Sequence, residues 1–408
     1  MIGSGARVRI DFALLWSGNA VSLIGFHGTR IAAPLLVLSL TGSPAAAGWV
    51  GFAVSAPSLL FRLVAGEIVD RYDRLRILRI CQTVGLLTAC AVAAAVLLDA
   101  PALVPLIVLA AFVEGAVYVF VDLAELGAIC DIVPEDQRPA AFSFLEAEQP
   151  VASLLGRAVG GAIYGLARWL PFVIDAASYL YCLVALSLIR RDPAVATRSA
   201  EAESHTSRRD LAVGLRMVWN EPVLRTTTAA AGASNMIIQL VLLLILFELG
   251  SGTHPTWTAG VVLAAAGVGG ILGAAVAARL TARFQAFSIY RAGLWIWTAV
   301  LLPIALSDNP IVLAVCWGGV GAVGVAGNVA MTIYRVEVIP EHILGRAAAA
   351  VALVADAAVA LGALGAGYLL TAMGVVPVRW MSFGLMFALA CAAGIRRTVS
   401  VSATAPVG

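Results

Sequence analysis

Between two long apolar stretches the chain reads Gly66-Glu67-Ile68-Val69-Asp70-Arg71-Tyr72-Asp73-Arg74-Leu75-Arg76, with Arg79 one turn further on. An apolar run from about 45 to 66 precedes it and one from about 77 to 98 follows. Each is long enough to cross the roughly 30 Å hydrocarbon core of a bilayer as a helix. A turn this short and this rich in arginine belongs at a membrane face, holding two spans side by side.

The same segmentation continues outward in both directions. Of 408 residues, 61% are hydrophobic and 12% charged, with a mean hydropathy of +0.96. That is half the roughly 25% charged residues of a soluble domain, too few to coat a soluble fold of this length. The runs fall at about 12–40, 45–66, 77–98, 103–128, 141–165, 170–189, 226–249, 258–278, 287–306, 311–334, 347–371 and 376–394. Twelve spans are therefore expected, six on each side of a polar break. The expected domains are 1–189, a six-helix bundle; 190–221, a linker with a short interfacial helix; and 222–408, a second six-helix bundle. The interfacial helix is read in Leu211-Ala-Val-Gly-Leu-Arg-Met-Val-Trp219, after a capping box at Ser207-Arg-Arg-Asp210. The first run is too long for a cleaved signal peptide and reads as span one.

All 26 basic residues are arginine, and lysine is absent. A phosphate loop that needs its lysine is excluded, as is Schiff-base chemistry. A net charge of +2, dispersed along the chain, gives no nucleic-acid footprint. The six cysteines form no CxxC pair and read as small residues in apolar surroundings, so no metal and no cofactor is expected. With both termini and the even-numbered loops on one side, that side carries 21 of the 26 arginines. The positive-inside rule then predicts a multi-pass protein of the inner or plasma membrane, both termini cytoplasmic. An offset of 206 residues superposes Gly115 on Gly321, Pro134-Glu135 on Pro340-Glu341, Gly156 on Gly362 and Gly161 on Gly367. The chain thus reads as an all-α membrane protein of two pseudo-symmetric six-helix bundles, an arrangement that places a substrate site between repeats.

The segment from Gly66 to Arg76 resembles the loop motif of the major facilitator superfamily (MFS), with Gly66, Asp70, Arg71, Arg74 and Arg76 in place and Asp73 where the family often has glycine. The resemblance implies the MFS fold, alternating access, and a latch in which Asp70 faces a helix N-terminus across the bundle interface. Gly66 permits close helix contact. The corresponding segment Gly273 to Arg283 has Ala277 near the acidic position, so the latch is asymmetric. A narrower likeness, to exporters that include macrolide-efflux and enterobactin-exporter-like proteins, is carried by Phe12-Ala-Leu-Leu-Trp16-Ser-Gly18-Asn19, Leu40-Thr-Gly-Ser-Pro44, Gly48 and Asp210 to Trp219. Leu155-Gly156-Arg157-Ala-Val-Gly160-Gly161 is similar to the antiporter motif of proton-coupled drug exporters, with Arg157 in the proline position. Packing glycines without a coupling role remain an equal reading of Gly156, Gly160 and Gly161.

Charge inside the spans is scarce and expensive, about 2.5 kcal/mol or more for an ionised group at the bilayer centre. Glu114, Tyr118, Asp122 and Glu125 recur at helical spacing in span four, Glu146, Gln149, Ser153 and Arg157 in span five, and Asn19, Phe26 and Arg30 in span one. Depth predicts that Glu114 pairs with Arg157, Arg30 or both; such a pair either exchanges a proton or locks the bundle. In the second half the interior acid singled out is Asp356 in span eleven. Asn19, Phe26, Tyr118, Asn235, Gln239, Trp317, Asn328 and Met331 are the expected cavity residues.

The expected activity is export of an amphipathic small molecule (drug, siderophore or natural product) by proton antiport, from a monomer in the lipid bilayer. An importer or uniporter of the same fold stays open, as do a membrane-embedded enzyme and a non-transporting receptor. Asp131, Glu135 and Asp136 are the nearest approach to an enzyme's acidic cluster.

Overall fold

The computed structural model describes residues 4–189, 208–250, 255, 257–339 and 341–395. Among them are thirteen α-helices: α1 (Ser4–Thr41), α2 (Pro44–Arg71), α3 (Arg74–Leu97), α4 (Leu103–Ile132), α5 (Arg138–Leu166), α6 (Leu170–Leu188), α7 (Arg208–Asn220), α8 (Pro222–Gly250), α9 (Trp257–Thr281), α10 (Ala286–Leu306), α11 (Pro310–Val338), α12 (Glu341–Met373) and α13 (Val375–Ile395). Eleven of these are long and apolar enough to cross a membrane. In α5 the apolar part is only Val151–Leu166, because its first half carries Arg138, Glu146, Glu148 and Gln149.

Local chemistry sets the boundaries. Gly42 and Gly374, at φ +62° and +76°, stop α1 and α12 in the left-handed region that suits glycine. The Ser43 side chain accepts from Ala46 N–H and Pro44 opens α2; Asn309 and Pro310 do the same for α11. Asp73 accepts from Arg76 N–H and so caps α3. The acid that replaces a glycine in the loop thus starts the next span. Glu221 likewise accepts from Leu224 N–H at the start of α8. The interfacial helix α7 packs on α12, with Gly214 against the Arg346 backbone. Ser207, read as its cap, lies outside the described residues.

Two sets of six helices repeat one packing scheme. In the first, α1 packs on α5 and α6, α2 on α4, and α3 on α4 and α6; in the second, α8 packs on α12 and α13, α9 on α11, and α10 on α11 and α13. The repeated glycines occupy equivalent contacts. Gly115 of α4 meets the backbone of Val54 in α2, and Gly321 of α11 meets that of Ala266 in α9. Gly156 packs on Ile24 and His27 of α1, and Gly362 on Met236 and Gln239 of α8. Between the sets, Gly161 lies on Gly260 and Gly367 on Gly48, backbone to backbone.

These crossings lie at the face away from the N-terminus of α1. There Ala45 N–H donates to Thr371 Oγ1 at 3.2 Å, Trp49 Nε1 donates to Tyr368 at 3.2 Å, and Leu35 and Leu38 close over Gly250. The far face is therefore packed shut. At the near face Asp70 is exposed and has no ion pair among the described residues, and a Cβ at Gly66 would meet open space. The close contact and the latch expected of these two residues are not made in this conformation, because the halves approach each other only from mid-depth to the far face.

Candidate functional site

Arg62 of α2 organises the charge between the two helix sets. Its Nη2 donates to Asp122 of α4 at 3.2 Å and its Nη1 to Asp356 of α12 at 3.4 Å. All three side chains are about one-third exposed, so they face open space rather than apolar packing. Beside them the Arg30 guanidinium sits 5.5 Å above the Phe26 ring, and Phe26 stacks on Tyr118 at 5.0 Å and 7°. Gln149 donates to the Tyr118 hydroxyl and lies 3.3 Å from His27 Nε2.

A cavity of about 310 Å³ opens next to this level, within the first helix set. Phe26, Tyr118, Arg62 and Asp122 line one part of it. Asn19, Ser22, Gln82, Glu125, Glu148 and Tyr179 line the other. Glu125 and Glu148 are buried, and each has a carboxylate oxygen without a hydrogen-bond partner. The amide nitrogens of Asn19 and Gln82 are in the same state. Buried polar atoms are normally satisfied; a group of unsatisfied ones around a cavity of this size fits water, protons or a polar ligand.

Other expected residues lie elsewhere. Trp317 and Met331 are buried, 3% and 8% exposed, in the core of the second helix set and do not line this cavity. The reason is that α11 packs closely on α9 through Gly269, Gly273 and Gly321, turning those side chains inward. Asn235 and Gln239 are half-buried on α8, Gln239 beneath Gly362 of α12, and Asn328 is exposed on α11. None of the three lines the cavity.

Glu114 makes no ion pair within 4.0 Å to Arg30 or Arg157; its Oε2 accepts from Thr29 Oγ1 at 3.4 Å. Helix geometry explains this. At about 100° per residue, Glu114 and Glu125 point within roughly 20° of each other, whereas Asp122 is turned by roughly 80°. Glu114 and Glu125 therefore face the bundle interior and Asp122 faces the other helix set. Arg157 is half-buried on α5, near Arg30 and His27. The side chain of Glu146 lies outside those described.

In the basic turn, Arg74 reaches Asp131 of α4 at 2.5 Å and the Gly127 carbonyl at 3.4 Å, while Arg71 and Arg76 are exposed. Gly156 and Gly160 press α5 against Gly28 of α1. They bring Gln149 and Glu148 to the cavity wall.

Three residues of this site were not singled out by sequence reasoning, Arg62 as an ion-pair hub, Glu148 and Gln82, and neither was Asp175, buried on α6 one turn from the cavity-lining Tyr179. Asp175, Ser178, Tyr179 and Cys182 stand at i, i+3, i+4 and i+7 on α6, one polar stripe in an apolar span. That spacing was the available signal.

The model of the family described as Major Facilitator Superfamily matches residues 15–363. The chain belongs to the major facilitator superfamily. As a member of the superfamily it is a multi-pass membrane transporter rather than an enzyme. It is 28% identical over 388 residues to the multidrug efflux pump Tap of Mycolicibacterium fortuitum, covering 91% of this chain and 90% of that protein. It is 28% identical over 397 residues to the multidrug efflux pump Tap of Mycobacterium tuberculosis (strain ATCC 25618 / H37Rv), covering 91% and 88%. Among solved structures it is similar to the nucleoside transporter NupG, with a TM-score of 0.72, 12% identity and coverage of 93% of this chain and 98% of that one. It is also similar to a bacterial homolog of the human lysosomal transporter Spinster in an inward-facing, unoccupied conformation, with a TM-score of 0.66, 13% identity and coverage of 97% and 95%. At these identities the two structures speak to fold alone.

Proposed function

We propose that this MFS transporter exports amphipathic small molecules from the cell in exchange for protons. The observation that carries the reading is the 310 Å³ cavity, where the Phe26–Tyr118 ring stack stands beside the buried acids Glu125 and Glu148. The rings offer a flat apolar surface, and the carboxyls offer sites that a proton and a polar or cationic group can occupy in turn. The name of the relatives, multidrug efflux pump, supports the direction and the substrate class.

The domains are taken as 1–189, 190–221 and 222–408, the chain as a monomer, and both termini as cytoplasmic, supported by the arginine asymmetry. The conformation with its far face shut is then the inward-open state. In the alternating-access cycle the two bundles rock, the Gly161–Gly260 and Gly48–Gly367 crossings part, and Asp70 gains a partner as the cytoplasmic face closes. Arg62 joins the bundles through Asp356 and competes with bound protons for Asp122 and Asp356. Asp122, Glu125, Glu146 and Glu114 are the proposed coupling acids, with Arg62 as the counter-charge of Asp122 and Arg30 and Arg157 as positive charges nearby. Efflux of a preloaded dye such as ethidium tests the reading: a protonophore added at constant ATP stops it. Efflux that continues unchanged contradicts proton exchange.

A further inference from the structure

Asp175 of α6 is 0% exposed, and its Oδ2 has no hydrogen-bond partner. It lies in the interior of the first bundle, held against α1 where Gly25 leaves room: a Cβ there would strike Asp175 Oδ1 and Ser178 Oγ. Thr29 of α1 reaches from the same side to Glu114 of α4, which is 6% exposed. Asp175 also approaches the Thr29 hydroxyl and Glu114, so two buried carboxyls flank one hydroxyl, and neither has an ion pair among the described residues. Around them stand Ser178 and Tyr179 on α6, with Cys182 of α6 and Cys81 of α3 beyond Tyr179, and Arg30 on α1. Arg30 lines a water-sized cavity of about 30 Å³ with Thr29 and Glu114 but makes no ion pair to Glu114.

A line of polar groups leads from this pair to the main cavity. Tyr179 is one turn along α6 from Asp175, on the same face, and it lines the 310 Å³ cavity. There Ser22 donates to Gln82 Oε1 at 3.0 Å. Gln82, wholly buried, keeps an unpartnered amide nitrogen. Glu125 and Glu148 complete the line, each with its own unpartnered oxygen. Packing alone gives no reason for five helices to present such atoms along one seam. Exchangeable water and protons satisfy them.

We infer that Glu114 and Asp175 share a proton inside the N-terminal bundle, and that Tyr179, Ser22 and Gln82 connect it to the Glu125–Glu148 cavity. Its use in coupling rests on the proton exchange proposed above; its existence does not. Two carboxylates buried beside one hydroxyl, with no cation paired to either, do not both stay ionised. The proton route thus runs within one bundle and reaches the substrate cavity at the wall that Gln82, Glu125 and Glu148 line. The small cavity next to Thr29 is its end toward the far face.

Infrared difference spectra of the purified transporter in lipid vesicles, recorded after a pH jump, test this without any substrate. Wild type is expected to show a protonated-carboxyl component that disappears in Asp175→Asn and in Glu114→Gln and persists in Glu148→Gln. Tyr179→Phe keeps both acids and is expected to slow the response of that component at least tenfold. If Asp175→Asn does not fold, Glu114→Gln and Tyr179→Phe carry the test. A component untouched by either acid substitution overturns the shared proton. A Tyr179→Phe response as fast as wild type overturns the route. Failure of the export reading would appear in the dye efflux experiment instead, leaving these spectra unchanged.

Discussion

Arg62 Nη1 lies 3.4 Å from Asp356 Oδ2 while its Nη2 lies 3.2 Å from Asp122 Oδ2, so one guanidinium joins α2, α4 and α12. Only the first of these bonds crosses between the helix sets. With each side chain about one-third exposed, a pair of this kind contributes about 0.2–1 kcal/mol. That is enough to bias a rocking equilibrium and too little to freeze it.

Asp356→Asn is therefore expected to raise the population open at the far face by at most about fivefold. Spin labels at the exposed positions Leu40 and Met373, with the native cysteines replaced, report it as a larger long-distance fraction. Arg62→Met leaves two facing carboxyls without their cation and is expected to lower transport much further than Asp356→Asn. Equal distance distributions in wild type and Asp356→Asn would count against a bridging role.

The far-face closure depends on glycine. Any side chain at Gly161 meets the Gly260 backbone directly, so Gly161→Leu is expected to cost about 1–3 kcal/mol in this conformation, as overpacking does. Thermal unfolding in detergent should show the loss. Gly384→Leu, where a Cβ meets nothing within 4 Å, serves as the neutral control. A Gly161→Leu protein as stable as the control would mean that the crossing is not made.

Much of this scaffold was legible in the sequence. The runs of apolar residues gave the spans because a helix in lipid must satisfy its own backbone. The 206-residue repeat was readable because glycines at close crossings tolerate no side chain, and each matched glycine does sit at an equivalent contact. Charge partners were harder. Glu114 and Asp122 belong to one helical stripe, yet the drift of 3.6 residues per turn sends them to different neighbours. Trp317 and Asn19 are both buried, yet only Asn19 lines the cavity, and which wall a buried side chain faces is a tertiary property. Asp175 was passed over because a single acid near a helix start reads as interfacial until α1 is seen covering it.

The basic turn makes a separable contribution. Arg74 and Asp131 are 18% and 16% exposed and in direct contact. Arg74→Ala is expected to destabilise by about 1.5–3 kcal/mol, the range for hydrogen bonds to charged groups, seen as a lower unfolding temperature. Arg76→Ala, on an exposed side chain, should stay within about 0.5 kcal/mol of wild type. Equal effects from the two would reduce the turn to a topology signal.

The coupling role proposed for the cavity acids can be tested at Glu148. Glu148→Gln keeps size and hydrogen bonding while removing an exchangeable charge beside Glu125. It is expected to lower gradient-driven export at least tenfold while leaving downhill dye movement within about twofold, since each tenfold is about 1.4 kcal/mol. Equal loss of both fluxes would assign Glu148 to the structure of the cavity rather than to coupling.

The most direct test of proton-coupled export uses everted membrane vesicles holding an acid-inside gradient, followed with a pH-sensitive dye while ethidium is added. Ethidium is expected to enter the vesicles as protons leave, and Glu148→Gln is expected to abolish the proton movement. Ethidium uptake by the wild-type protein with no accompanying loss of the gradient would contradict it.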